Sequence, residues 1–280
     1  MTSKRTVTVA FQGEAGAFSE QAASVYFGKS AQTLPCRSFA DVFRAVESRQ
    51  ADRGLIPIEN TVFGSIHENY DLLQRSRLHI VGEIKLRVIH ALLVNAGVRL
   101  KDIRYIYSHP QALGQCERFL ASLHNVEVVA VYDTAGAAKM IKEEKRKDAA
   151  AIASLRAAQV YGLQVLKKEI ESNRANFTRF LALSRVKAGT PRHAKTSIVF
   201  GLKDAPGALY KALSVFALRD VNLLKIESRP FVGKPWEYLF YVDIEGSMND
   251  AACKLSIRHL GEISSYLRIL GTYEIGKVVG

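Results

Sequence analysis

Five short polar segments carry the residue types that could do chemistry in this chain. Each stands where a predicted strand ends or begins or where a predicted helix begins, and loops at such places commonly carry function. Ligands of open α/β sheets bind beyond strand ends and between lobes. The five segments span residues 12–19, 57–65, 108–113, 133–138 and 176–180.

The segments at 12–19 and 133–138 contain glycine and open helices, so they could bind an anion through free backbone N–H groups. A turn that requires glycine, or tight helix packing, would produce the same patterns. Ser19 is the hydroxyl at the helical end of the first segment. Both interpretations stay open at these two places.

The segment at 57–65 gathers an acid, an amide and two hydroxyls directly after an apolar strand. These residues are Glu59, Asn60, Thr61 and Ser65. A helix cap would explain Ser65, but it does not readily explain Glu59 and Asn60 beside it. The concentration of polar groups therefore predicts a ligand-binding loop.

The segments at 108–113 and 176–180 add a titratable group and a cation. His109 and Gln111 begin a helix after a strand, where they could meet a ligand; a capping Ser108 beside a surface histidine is the alternative. Thr178 and Arg179 stand at the predicted entrance of an apolar strand, and arginine suits a planar carboxylate.

The sequence disfavours several other kinds of site. It contains no phosphate-binding glycine motif, HExxH or GxSxG, and its seven histidines lack a metal-ligand spacing. Three cysteines without a CxxC pair support neither a disulfide framework nor a zinc site, so we expect a reducing cytoplasm. The apolar stretch after Lys4 and Arg5 is too short for a secretory signal, and no run approaches about 18 apolar residues, so we expect no membrane partner.

Length and charge indicate two domains and are compatible with an anionic ligand. The chain has 280 residues, 48% of them hydrophobic, enough for a substantial core in about two domains. Its net charge is +12, and nearly all of the basic excess lies before residue 197. The basic clusters at 142–147 and 167–168 are mixed with glutamates and lack interleaved aromatics. A small anion fits at least as well as nucleic acid, and a solvated surface explains any single cluster more simply.

Strand and helix patterns alternate through the first 186 residues and predict an α/β region of two lobes. The long extended segment 80–94 is the candidate crossover, and Pro57 predicts that its strand ends there or lies at an edge. Predicted strands are 6–11, 33–37, 55–58, 105–107, 126–132, 149–153 and 180–183; predicted helices are 18–27, one that begins after Ser38, 66–74, 110–123, 135–145 and 155–161.

Residues 187–195 have the composition of a linker, and residues 196–280 are predicted to form a second domain. Its predicted elements are a strand at 197–202, a helix at 208–218, strands at 224–231 and 237–244, a helix at 250–261 and a strand at 266–273. This βαββαβ order is typical of a ferredoxin-like unit.

Taken together, the segments resemble the prephenate dehydratase family, and the second domain resembles the ACT regulatory domain that accompanies it. The resemblance spans nearly the whole chain and includes the glycine loop at 12–19, PIEN and GS within 57–65, SHPQAL at 108–113, TAGAA at 134–138 and TRF at 178–180. In the second domain, Gly207-Ala208-Leu209 and Glu227-Ser228-Arg229-Pro230 resemble the family's GALV and ESRP segments. Tyr210 stands in place of the valine, and Thr61 in place of a more common serine.

The resemblance implies an enzyme that converts prephenate to phenylpyruvate, with loss of carbon dioxide and water and without a cofactor or metal. It implies a catalytic domain at 1–186 with two lobes, like a type II periplasmic binding protein, and a cleft between them. Thr178 is then the donor to the departing hydroxyl, Arg179 binds a carboxylate or holds the adjoining loop, and Phe180 forms a dry wall. The implied substrate-binding residues are Ser19, Glu59, Asn60, Ser65, His109, Gln111, Asn176, Arg179 and Phe180.

The ACT part is expected to bind L-phenylalanine between two chains and to inhibit the enzyme, in a homodimer or homotetramer. The residues expected near this effector are Gly207, Ala208, Leu209, Asn222, Leu223, Glu227, Ser228, Arg229 and Pro230.

Two rival functions use the same scaffold. One is an arogenate dehydratase, which acts on the amino analogue of prephenate, and no residue named above separates the two. The other is a non-catalytic sensor, since two-lobed clefts and ACT domains also bind small molecules without transforming them. The Thr178-Arg179-Phe180 motif favours an enzyme.

Overall fold

A computed structural model describes residues 6–189 and 191–280, which form three β-sheets flanked by helices. Lys4, Arg5 and, within the predicted linker 187–195, Thr190 lie outside these described residues. Two of the sheets form the two lobes, and the third belongs to the second domain.

The first lobe begins with an alternation of strands and helices. Its elements are β1 (Thr8–Gln12), α1 (Phe18–Phe27), β2 (Gln32–Cys36), α2 (Phe39–Glu47), β3 (Arg53–Asn60), β4 (Gly64–Ser65), α3 (His67–Arg75) and β5 (His79–Arg87). β1 pairs in parallel with both β2 and β3. α2 begins at a capping box in which Ser38 and Asp41 bond reciprocally, so the predicted helix start is confirmed.

The second lobe follows the same pattern. Its elements are β6 (Ala91–Val94), β7 (Tyr105–Ser108), α4 (Pro110–Gln115), α5 (Glu117–Ala121), β8 (Glu127–Ala130), α6 (Thr134–Glu143), β9 (Ala149–Ala153), α7 (Leu155–Tyr161) and β10 (Gln164–Lys168). The strand order is β10-β6-β9-β7-β8. The single helix predicted at 110–123 is divided in two at Cys116, and β10 was not predicted.

Two connections join the lobes. Residues 88–90 lead from β5 to β6, which confirms the predicted crossover within 80–94. Residues 169–176 lead back to β11 (Phe177–Ser184), which inserts antiparallel between β3 and β5. The resulting two-lobed α/β arrangement confirms the predicted fold class.

The prediction that Pro57 lies at an edge or a strand end is wrong. β3 continues to Asn60 and lies between β1 and β11. The pairing of β3 with β11 shifts register between Arg179 and Phe180, and Phe180 pairs with Pro57. Such a bulge accommodates a residue that has no N–H donor. The Pro57 carbonyl accepts a hydrogen bond from the Nδ2 of buried Asn69 at 2.6 Å.

The second domain confirms the predicted βαββαβ order. Its elements are β12 (Ala194–Gly201), α8 (Ala208–Ala217), β13 (Leu223–Pro230), β14 (Tyr238–Glu245), α9 (Ala251–Ile263) and β15 (Tyr266–Glu274), with the sheet order β13-β14-β12-β15. One face of the sheet packs on α8 and α9. The other face packs on the first lobe, where Tyr241 and Tyr273 share a core with Ile58 and Leu181.

The chain then returns to the first lobe. A last strand, β16 (Val278–Val279), pairs in parallel with β5, so residues that follow β15 extend the first sheet. β12 begins inside the predicted linker. The domain boundaries at 186 and 196 stay a prediction. Among the described helices, none is long and apolar enough to cross a membrane.

Candidate active site

A cavity of about 660 Å³ is lined by both lobes. The first lobe contributes the start of α1, the end of β3 and part of β11, and the second contributes the starts of α4 and α6. Seven of the predicted site residues line it: Ser19, Asn60, Ser65, His109, Gln111, Thr178 and Phe180. Residues distant in sequence thus meet because strand ends and helix starts of the two lobes converge.

Thr178 is the second residue of β11 and lies on the cavity wall, at the strand entrance where the sequence predicted it. Its side chain is largely buried, with 9% of the residue exposed. The Asn60 Nδ2 donates a hydrogen bond to the Thr178 Oγ1 at 3.0 Å. The two residues are cross-strand partners in the β3–β11 ladder, which fixes this contact.

The polarity of the Asn60 amide is set by its other contacts. Its Oδ1 accepts hydrogen bonds from the backbone N–H groups of Val62 at 2.9 Å and Phe63 at 3.1 Å. The opposite end of the amide is therefore the NH₂ group, which can only donate. Because the Thr178 oxygen accepts from it, the Thr178 hydroxyl proton is free to be donated to a ligand.

Asn176 supports this pair from behind instead of lining the cavity. It is buried, and its Oδ1 accepts a second hydrogen bond from the Asn60 Nδ2 at 2.8 Å. Its backbone carbonyl accepts from Val88 in the first connection between the lobes. The expected contact of Asn176 with substrate is thus replaced by a contact with Asn60.

Two other predicted residues on the cavity wall, His109 and Ser65, form hydrogen bonds within the protein. His109 caps α4, where its Nδ1 accepts from the Gln111 backbone N–H at 3.2 Å. The alternative in which Ser108 caps this helix is wrong, because Ser108 is buried and donates to the Ile152 carbonyl. The Ser65 hydroxyl donates to Glu227 of the second domain at 2.5 Å.

Phe180 belongs both to the cavity wall and to the core. It is 2% exposed and packs with Val9, Ile84 and Leu86 of the first lobe. The cavity therefore has an apolar wall close to Thr178, and that wall is backed by tightly packed side chains.

Arg179 does not line the cavity, and the expectation that it binds a substrate carboxylate is wrong. Its side chain points to the opposite face of β11, toward the second domain, because neighbouring residues on a strand alternate. Its Nε donates to Glu83 at 2.7 Å, and an NH₂ group donates to Asp243 at 2.5 Å. Burial alone would lower the pKa of Arg179, but Asp243 and Glu83 hold it above its ordinary value.

Glu59 is also absent from the cavity wall, so its predicted contact with substrate is not supported. Its carboxylate forms an ion pair with Lys225 of the second domain and lies 3.7 Å from the Arg179 guanidinium. Lys195 completes this buried cluster by bonding Glu83 at 2.8 Å. Glu59 and Arg179 therefore connect the sheet of the first lobe to the second domain.

The residues of β13 that were predicted to lie near the effector are divided between the two faces of the strand. On β13, Glu227 and Arg229 point toward the first lobe, where Glu227 contacts Ser65 and Arg229 pairs with Asp71 at 2.9 Å. Ser228 and Pro230 are exposed on the other face. Glu227 and Arg229 thus have partners within their own chain, which the sequence did not predict.

The remaining predicted effector residues lie around α8 and the start of β13. Gly207 adopts a left-handed conformation with φ of +74° directly before α8, which favours glycine. Asn222 donates to Glu245 at 3.2 Å. Of the other predicted effector residues, Ala208 and Leu209 form the start of α8, and Leu223 is the first residue of β13.

Several cavity residues were not predicted. Arg37 follows β2 and is the one Lys or Arg that lines the cavity in residues 6–189 and 191–280. Gln115 lies four residues after Gln111, one helical turn away, and this spacing could have revealed it. His90 comes from the connection between the lobes, and Glu68 from the first turn of α3.

The donor groups of the site do not cluster as metal ligands do. Within the described part of the chain, no group of three His, Cys, Asp or Glu side chains could hold a metal ion. The three cysteines are free, and none of them lines the cavity.

Comparison with known proteins supports the assignment suggested by these motifs. The family described as prephenate dehydratase matches residues 9–188, and the ACT domain family matches residues 196–252. An Arabidopsis thaliana protein named arogenate dehydratase/prephenate dehydratase 2 is 51% identical over 96% of this chain and 73% of its own length.

Solved structures are similar over nearly the whole chain. A prephenate dehydratase from Arthrobacter aurescens, in complex with L-Phe, has a TM-score of 0.88 and 33% identity, covering 96% of this chain and 90% of that one. GqqA, described as a quorum-quenching acylase, has a TM-score of 0.89 and 36% identity, covering 96% and 98%. This chain belongs to the prephenate dehydratase family of carbon–oxygen lyases and carries an ACT domain.

Proposed function

We propose that this chain converts prephenate to phenylpyruvate, carbon dioxide and water in the biosynthesis of L-phenylalanine. The observation that carries the proposal is the Thr178 hydroxyl on the wall of the interlobe cavity, with its oxygen bonded to the Asn60 amide. Its proton is free for the departing hydroxyl of a ring bound in that cavity.

The reaction moves electrons from the ring carboxylate to the leaving hydroxyl. The bond between ring and carboxylate breaks, its electron pair enters the ring, and carbon dioxide leaves. The C–O bond breaks across the ring, and the departing oxygen takes a proton to become water. Thr178 gives the hydrogen bond or proton, and Asn60 stabilises the negative charge that develops on the threonine oxygen. Assistance of this kind contributes about 10²- to 10⁴-fold in rate.

The cavity wall also supports binding of a dianion. Arg37 has no ion pair with any described residue and is suited to a substrate carboxylate. Phe180 provides an apolar surface, and removal of water from the ring carboxylate favours its loss as carbon dioxide. Ser19, Ser65, His109 and Gln111 supply hydrogen bonds that orient the ring and its side chain.

Arogenate is the second candidate substrate, and the name of the Arabidopsis relative favours it equally. The test is to measure kcat/KM on both substrates, following phenylpyruvate and L-phenylalanine as the two products. A preference for prephenate supports the proposal. If a folded protein turns over neither compound, the sensor interpretation replaces it.

We propose further that L-phenylalanine binds the ACT domain between two chains and inhibits the enzyme. Support comes from the L-Phe complex of the Arthrobacter relative and from β13, an edge strand with one exposed face. The hydrogen bond between Glu227 and Ser65 connects the ACT domain directly to the cavity wall. Calorimetry and sedimentation with and without L-phenylalanine test binding and the expected homodimer or homotetramer.

Location in the cytoplasm stays a prediction from the cysteine pattern. The Arabidopsis relative is named as chloroplastic, so its name does not support this prediction. Fractionation of cells that express the protein is the direct test.

A further inference from the structure

His90 lies at the junction of the lobes and is fixed from both sides. It is 2% exposed and belongs to the connection between β5 and β6. Its backbone N–H donates to the Glu171 carboxylate at 3.0 Å, and its carbonyl accepts from Ile170 at 3.2 Å. Its ring stands edge-on to Phe18 of the first lobe, with centroids 5.3 Å apart. The imidazole is therefore held in one orientation at the cavity wall.

The hydrogen bonds of this imidazole define where its proton sits. The Nε2 lies 2.5 Å from the Oε1 of Gln115, and because an amide oxygen can only accept, this contact is a hydrogen bond in the tautomer that carries its hydrogen on Nε2. The Nδ1 is buried without a hydrogen-bond partner in the described residues. Burial lowers the pKa of His90 despite the opposing effects of Gln115 and Glu171, which agrees with a neutral ring.

This bond determines which end of Gln115 is available in the cavity. The Oε1 is engaged by His90, and the Gln115 backbone carbonyl accepts from Ser172 at 2.7 Å. The amide NH₂ is the end left for a ligand. Without His90, the amide could rotate and present its oxygen to an anionic substrate, which is repulsive.

We propose that His90 is a positioning residue for the reaction and that it acts through Gln115, whose NH₂ group it directs toward a carboxylate or keto oxygen of the substrate. The inference rests on the proposed function. In a cavity where Arg37 is the one Lys or Arg among the described lining residues, fixed neutral donors add to recognition of a dianion.

The test is a double-mutant cycle on kcat/KM for prephenate. His90→Phe keeps an aromatic ring but loses the donor, and we expect about a tenfold loss, mainly through KM. His90→Gln restores an NH₂ donor, and we expect it to recover most of that loss. In a Gln115→Leu background, His90→Phe is expected to add no further loss. Independent, additive losses, or a His90→Gln variant no better than His90→Phe, would overturn the proposal.

Two further readouts keep this inference separate from the proposed function. The same cycle on the dissociation constant for phenylpyruvate requires no turnover, so it stands even if wild-type protein fails to convert prephenate. If His90→Phe does not fold, the ¹⁵N spectrum of wild-type protein decides. We expect a neutral ring protonated at Nε2, whose signal changes in Gln115→Leu. A charged ring or an Nδ1–H tautomer would refute the assignment.

Discussion

Thr178 and Arg179 are neighbours on one strand, yet they belong to opposite regions of the molecule. Thr178 faces the cavity in a cluster of neutral groups with Asn60 and Asn176. Arg179 faces the second domain in a buried cluster of charges with Glu83 and Asp243. The alternation of a β-strand therefore divides one short motif between chemistry and domain attachment.

The difference between the two clusters follows from their tasks. A buried charge must be paired, and each side chain of the Arg179 cluster bonds an opposite charge. Around Thr178, by contrast, a carboxylate would accept a hydrogen bond from the hydroxyl and so engage the proton that the reaction requires. The amide of Asn60 binds the oxygen and leaves that proton free.

Removing the guanidinium should have the largest effect on stability. Arg179→Met leaves Glu83 and Asp243 buried with Lys195 as their remaining cation, and we expect a loss of about 3–5 kcal/mol in the free energy of unfolding. Arg44→Met is the matched control, because its pair with Asp41 is exposed and screened by solvent, and we expect a much smaller loss. Equal losses in urea titrations of the two variants would contradict the comparison.

Changing the amide to an acid should impair turnover but not folding. Asn60→Asp keeps acceptors for Val62 and Phe63, but its carboxylate accepts a hydrogen bond from the Thr178 hydroxyl instead of donating one, so we expect kcat to fall about 10²-fold. Thr61→Ser on the same loop is the control and should keep wild-type kcat. Steady-state kinetics that show an unimpaired Asn60→Asp enzyme would refute the polarity assigned to Asn60.

The charged cluster also predicts a dependence of stability on pH. Burial raises the pKa of Glu83, but Arg179 and Lys195 outweigh it and hold the pKa below its ordinary value of 4.5. Glu83 therefore stabilises the fold above that value, and its contribution is lost as pH falls through the lower pKa of the folded state. Unfolding free energies measured across acidic pH should decline less steeply in Glu83→Gln. If the unfolding free energies of wild type and Glu83→Gln declined in parallel with pH, the stabilising role assigned to Glu83 would be contradicted.

The smallest effect is expected at the contact between the domains. Glu227→Ala removes the acceptor for Ser65 at a partly exposed position, and we expect at most about 1 kcal/mol of lost stability. Its kcat should stay close to wild type, while KM rises because Ser65 is less well held. Thermal unfolding and kinetics measure both quantities. A fall in kcat comparable to that of Asn60→Asp would place Glu227 in the chemistry.

Periodicity and local motifs predicted most of the fold. The helix at 18–27 was predicted with its observed ends, and the ACT order followed from its strand and helix patterns. The prediction for Pro57 was wrong because the bulge next to it forms where β3 pairs with β11, which lies more than a hundred residues away. Local sequence cannot show which distant strand will be a neighbour.

The site was predicted less completely, for a related reason. Motifs identified Thr178, Asn60 and His109 as polar residues at strand or helix ends, and these line the cavity. They could not show which face of β11 meets the cavity or which face of β13 meets the first lobe. Arg179 and Glu227 were therefore assigned to ligands, although they bind other parts of the chain. A residue's face is decided by packing between domains.

The measurement closest to the central claim is kcat of Thr178→Val and Thr178→Ser on prephenate, with unfolding curves for both. Valine matches the shape of threonine without the hydroxyl, and we expect kcat to fall about 10²- to 10⁴-fold. Serine keeps the hydroxyl next to Asn60 and should remain within about tenfold of wild type. A folded Thr178→Val enzyme with wild-type kcat would show that the hydroxyl does not serve the departing group.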